Sequence, residues 1–171
     1  VPPPNFQPHF TLVPSFFLPN TYGNFVVSVY SSEDVELCQV TPDERWSRTS
    51  LKGSWSGETA GGCRNFESWA SNPQFVVAND VATKCLVVLS QTGGSLLPIG
   101  FYIVNQEGST VAKGAFMHSP EVFCELEIDP SAGPLLLIPC TFEPKMEGSF
   151  EIVIYSSTPN IELVDMFDAD V

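Results

Sequence analysis

Basic residues are scarce in this chain: 7 Lys and Arg stand against 20 Asp and Glu, for a net charge of −13 over 171 residues. Nucleic-acid binding needs Lys and Arg to neutralise phosphate, so that class is excluded. The same balance opposes direct docking on anionic lipid unless bound calcium reverses the local sign. Histidine is nearly absent, with His9 and His118 alone. The five cysteines, Cys38, Cys63, Cys85, Cys124 and Cys140, form no CxxC and no metal-type spacing with either histidine. An odd cysteine count without a secretion signal reads as reduced thiols in the cytoplasm. There is no N-x-S/T acceptor site, no apolar run long enough to span a membrane, and no long run at helical period. No phosphate-cradling glycine loop occurs, and GSWSG at 53–57 does not meet the G-x-S-x-G pattern. Glycine-flanked Cys63 and His118 are the residues from which a thiol–imidazole pair would have to be built.

Proline, glycine and aromatics are plentiful, with 15 Pro, 12 Gly and 13 Phe. That composition suits many short strands joined by turns. Residues 1–9, VPPPNFQPH, read as an extended proline-rich segment, and the opening VPPP reads as the start of an excised fragment. Strand-like runs follow at Phe10–Pro14, Asn24–Ser31 and Val35–Val40, then a turn at Thr41–Glu44. Nine further candidates are Trp46–Trp55, Phe75–Ala78, Lys84–Ser90, Ile99–Asn105, Thr110–Phe116, Val122–Ile128, Leu135–Cys140, Phe150–Ser156 and Ile161–Met166. Phe123 and Leu126 break the alternation of the sixth, while Glu125 and Glu127 face out. Strands at this spacing predict an all-β antiparallel sandwich or barrel.

The stretch TAGGCRNFESWASNPQF at 59–75 places unusual demands on the backbone. Gly61 and Gly62 permit positive φ and close approach. Asn65, Ser68 and Ser71 bond locally and favour turns. Phe66, Trp69 and Phe75 are apolar anchors, with Trp69 expected to be buried. Arg64 would pair with a carboxylate or cap backbone carbonyls, or contact a neighbouring domain.

An internal repeat is also present. LVPSFFLPNTYGNFVVSVYSS at 12–32 aligns without a gap to LIPCTFEPKMEGSFEIVIYSS at 137–157, agreeing at nine of 21 positions. A period of 125 residues is that of a domain. Residues 1–43 therefore read as the tail of a preceding copy plus a linker, and 44–171 as the second copy with an acidic C-terminal tail. Apolar residues of the tail, among them Phe16, Phe17, Phe25, Val27 and Val29, need a covering surface.

Two patches carry a resemblance. GSWSGETAGGCRNFESWASNPQF supplies Gly53, Trp55, Thr59 to Cys63, Asn65, Trp69, and Asn72, Pro73 and Gln74 in the order of a G-x-W-x-x-G-x-TAGGC-x-N stretch followed by Trp and NPQ. IPCTFEPKMEGSFEIVIYSS supplies a Pro, then TFEP with Phe142, then Gly148 and a final apolar strand. Together they resemble the beginning and end of calpain domain III, the C2-like domain. The resemblance implies about eight strands in two sheets. It also implies a non-catalytic regulatory or interaction role beside a papain-like protease domain, whose own motifs are absent here. The protease domain of the same parent and a preceding C2-like copy are the implied partners. Cys63 then reads as a structural thiol, and no catalytic residue is expected. Domain III often carries a long acidic loop linked to calcium, which wants six to eight oxygens. At the matching place stands Asn79-Asp80-Val81-Ala82-Thr83 with one acid, so no cofactor is expected and any calcium site should be no tighter than about 100 μM. Asp165, Asp168 and Asp170 in the tail read as solvated. The competing expectations are a calcium- or phospholipid-binding module and a structural spacer in a non-proteolytic parent.

Overall fold

Period-two alternation becomes structure when one face of each strand leaves water and the other does not. The computed structural model describes residues 12, 14–15, 21, 23–35, 46–93 and 96–166. The chain divides into two units, Val1–Cys38 and Gln39–Val171.

In the first unit, residues 23–35 carry no regular secondary structure, and Phe25, Val26, Val29 and Tyr30 are exposed. The strand expected at Asn24–Ser31 is therefore not formed. Its counterpart in the second unit, Phe150–Ser156, is held by a neighbour on each side. A lone run has no ladder to satisfy its N–H and C=O groups. The other expected elements of the tail, and the turn at Thr41–Glu44, lie largely or wholly outside the described residues.

Among its described residues the second unit holds nine strands: β1 Ser47–Trp55, β2 Phe75–Ala78, β3 Thr83–Thr92, β4 Pro98–Val104, β5 Thr110–His118, β6 Glu121–Ile128, β7 Leu135–Thr141, β8 Gly148–Ser156 and β9 Glu162–Asp165. They form two antiparallel sheets, of order β1-β8-β3-β6 and β5-β4-β7-β2-β9. The count is one above the eight implied by the resemblance, because β9 pairs with β2 and extends the second sheet.

The core lies between the sheets. Val87, Leu89, Phe150, Ile152 and Ile154 face Phe75, Val77, Ile99, Phe101, Ile103 and Leu137, all almost fully buried. Each such side chain contributes about 1.5–3 kcal/mol of burial. Trp55 ties the layers together: its ring lies 4.6 Å from that of Phe150, and its Nε1–H donates to the Pro139 carbonyl of the opposite sheet at 3.0 Å. β6 corrects the sequence reading. Val122 and Ile128 point into the core, Cys124 and Leu126 pack against it, and Phe123 is 65% exposed beside Glu125 and Glu127. The alternation is unbroken; an aromatic simply stands on the outer face. Among the described residues no helix is long and apolar enough to cross a membrane.

Candidate interaction site

The 59–75 stretch folds as two short 3-10 helices, Gly57–Thr59 and Glu67–Ser71, joined by turns. Its demands are met locally first. Gly62 takes φ +78°, and a Cβ there would stand 2.6 Å from the Pro144 nitrogen. A Cβ on Gly61 would collide with the Ser68 carbonyl oxygen. No other residue type fits this pair of positions without moving backbone.

Asn72 is the internal clamp, 3% exposed. Its Oδ1 accepts from Gly61 N–H at 3.2 Å, and its Nδ2 donates to the carbonyls of Gly62 and Trp69, each at 2.8 Å. Ser68 and Ser71 hydroxyls donate to the Gly61 and Glu58 carbonyls, both at 2.7 Å. Pro73 is half-buried just before β2. Buried backbone groups in this loop are thus paired by side chains in place of a ladder.

The loop is then stitched to two strand connections, one crossing between the sheets and one a hairpin. Cys63 N–H donates to the Phe142 carbonyl at 3.1 Å, and Lys145 N–H to the Ala60 carbonyl at 2.7 Å. Lys145 itself takes φ 63°. These bonds anchor the loop on the β7–β8 connection. Arg64 anchors it on the β4–β5 connection, donating to the Gly108 carbonyl and Thr110 Oγ1 at 2.6 Å each. Its guanidinium also lies 4.4 Å from the Trp69 ring centroid and 5.6 Å from that of Tyr102. Trp69 meets Tyr102 edge-on at 5.7 Å. Arg64 therefore caps a backbone carbonyl and stacks on aromatics. Burial pushes the Tyr102 phenol pKa up, against the opposing pull of Arg64.

Two expectations about anchors change. Trp69 is only half-buried: Arg64 covers one face of the ring, and the indole Nε1 atom is shielded from solvent without a hydrogen-bond partner. Phe66 is exposed (37%) and leaves Phe75 as the deeply buried aromatic of the stretch. Asn65 is exposed, Phe142 is exposed and meets Phe116 edge-on at 5.6 Å, and Gly148 begins β8 opposite Trp55. Sequence reasoning missed Tyr102, Gly108, Thr110 and Lys145. Nothing local marks them, since each meets the loop only through the tertiary fold.

Cys63 is buried (2%), while His118 is exposed at the end of β5 and lines a hollow of about 420 Å³ with Phe116, Met117, Phe142 and Met146. Burial pushes the thiols of Cys85 and Cys124 up to about 11, and raises Cys140 further, with Cys63 as a second cause. Such thiols stay protonated and are poor nucleophiles. The β2–β3 loop expected to lack a calcium set is closed on itself. Asn79 Nδ2 donates to Thr83 Oγ1 at 2.6 Å and Thr158 Oγ1 at 2.8 Å. Asp80 and Glu162 line a cleft of about 310 Å³ beside it. Among the described residues no group of three or more His, Cys, Asp and Glu side chains is arranged to hold a metal ion.

Comparison with known proteins gives a family match and several relatives. The family model described as calpain large subunit, domain III, matches residues 51–155. The chain is 34% identical over 139 residues to a protein named serine/threonine-protein kinase 4 homolog B of Dictyostelium discoideum, covering 71% of this chain and 12% of that protein. It is 29% identical to the calpain-type cysteine protease DEK1 of Zea mays, covering 71% of this chain and 7% of the relative. It is 30% identical to Calpain-B of Drosophila melanogaster, covering 74% of this chain and 18% of the relative. The chain thus spans less than a fifth of each of these relatives.

Proposed function

Because the chain belongs to the calpain large-subunit domain III family, we propose that it is a non-catalytic regulatory and interaction domain of a calpain-type cysteine protease. It packs on the protease core or positions partners for it. One observation carries this reading: the loop at 56–74 has its backbone locked by buried hydrogen bonds while Arg64, Asn65, Phe66 and Glu67 stand exposed on it. Side chains presented on a locked backbone lose less conformational freedom on docking than side chains on a loose one. In the parent, residues 12–32 would close a preceding C2-like copy, as the repeat implies.

The similarity to a protein named as a serine/threonine kinase supports a second reading, a structural or interaction module in a parent without protease activity. A calcium- or phospholipid-binding role is the third, and the self-closed β2–β3 loop with its single acid argues against it. The deciding experiment mixes the chain with an isolated calpain protease core and measures binding by calorimetry. Saturable binding that weakens in Phe66→Ser and Asn65→Ala supports the first reading, and no binding supports the second. Thiol-dependent casein hydrolysis by the chain alone, abolished by Cys63→Ala, would overturn the non-catalytic assignment.

A further inference from the structure

The outer face of the β1-β8-β3-β6 sheet lies apart from the 56–74 loop, and strand register arranges it in rows. In one row Glu121 lies at the β6 end and Lys52 at the β1 end; in another Glu125 and Arg48 hold those two ends. Between the ends, Phe123, Val88 and Val153 form one apolar row, and Leu86 and Tyr155 fill the middle of its neighbour. Phe123 is 65% exposed and Tyr155 37%. Val153 beneath them is 7% exposed, and Leu86 and Val88 are half-buried. Two exposed aromatics over an apolar floor, with an acidic edge on one side and a basic edge on the other, have the pattern of a contact surface.

We propose that this face pairs with the same face of a second copy of the chain. A twofold axis parallel to the strands, between β8 and β3, lays each row on its own reverse. Glu121 then meets Lys52 of the second copy, Glu125 meets Arg48, Val88 meets Val153 and Leu86 meets Tyr155. A twofold axis running across the strands would instead set the acidic β6 edges against each other, so the charges select one geometry. Arg48 already holds Glu151 at 3.1 Å, but half of its side chain remains exposed and its fork has donors left for a second carboxylate. From strand and residue spacings the face measures about 500 Å² per copy. The two copies together would bury about 1,000 Å², near the lower limit for a specific interface, so the dimer is weak and reversible.

Sedimentation of the full chain from about 10 μM to about 1 mM tests this through mass action. The wild type should pass from monomer to dimer, and added salt should shift it back. Arg48→Glu/Lys52→Glu and Glu121→Lys/Glu125→Lys should each remain monomeric, with unchanged far-UV circular dichroism because all four side chains lie on the surface. An equimolar mixture of the two variants should dimerise again, since each acidic edge then meets a basic one. A wild type that stays monomeric, a dimer in either variant alone, or a mixture that stays monomeric would each overturn the proposal.

Discussion

Asn72 shows how much one buried carboxamide can hold. Removing it strands Gly61 N–H and the Gly62 carbonyl in a buried site, while the Trp69 carbonyl keeps its bond from the backbone N–H of residue 72. Asn72→Ala should therefore cost about 2–4 kcal/mol, read as a lowered urea midpoint at unchanged slope. Arg64→Ala should cost less, about 1 kcal/mol, because its head group is exposed and a stacked cation at such a site contributes little. The thiols give a pH signature. Cys85 and Cys124 rise from an ordinary 9.0 to about 11 on folding. A pKa raised in the folded state means stability fully present below pH 9 and lost as pH climbs through 11. Melting temperature should fall across that window, and Cys85→Val should flatten the fall.

At the scale of elements, β6 separates what alternation decides from what identity suggests. Phe is an apolar residue, yet position 123 points outward because its neighbours Val122 and Cys124 face the core. Phe123→Asp should change monomer stability by no more than about 0.5 kcal/mol, as exposed substitutions do. Val122→Asp should cost about 4 kcal/mol or more, since it buries an unpaired charge. Chemical denaturation of the two neighbours checks the phase directly; equal losses would refute it. The strands were legible in advance for two reasons: β1, β3 and β6 alternate in burial, while β2, β4 and β7, buried on both faces, read as short continuous apolar runs. The 3-10 turns at Gly57–Thr59 and Glu67–Ser71 were not, because so short a helix has no period to read.

For the whole molecule, the division at Cys38 makes deletion the informative experiment. Removing residues 1–43 should leave a folded second unit with a urea midpoint close to that of the full chain. Unfolding of the shortened form would mean that the tail is integral to the sandwich. Calorimetric titration should find no calcium site tighter than about 100 μM, weaker than sensor sites; micromolar binding would favour the membrane-recruiting alternative.

The sequence alone determined the all-β class and the position of nearly every strand in the second unit, because these depend on apolar patterning within a few residues; it permitted a close approach at Gly61 and Gly62, which Ser68 and the distant Pro144 then require. It also carried the family, through two ordered motifs far apart in the chain. Only the tertiary structure decided that Arg64 rests on Trp69 and Tyr102, that Asn72 replaces a ladder inside the loop, and that Glu125 and Arg48 end one row of the same sheet face. Arg48 and Glu151, paired on that face, stand 103 positions apart, and long-range register is fixed by packing of the two sheets rather than by any local preference.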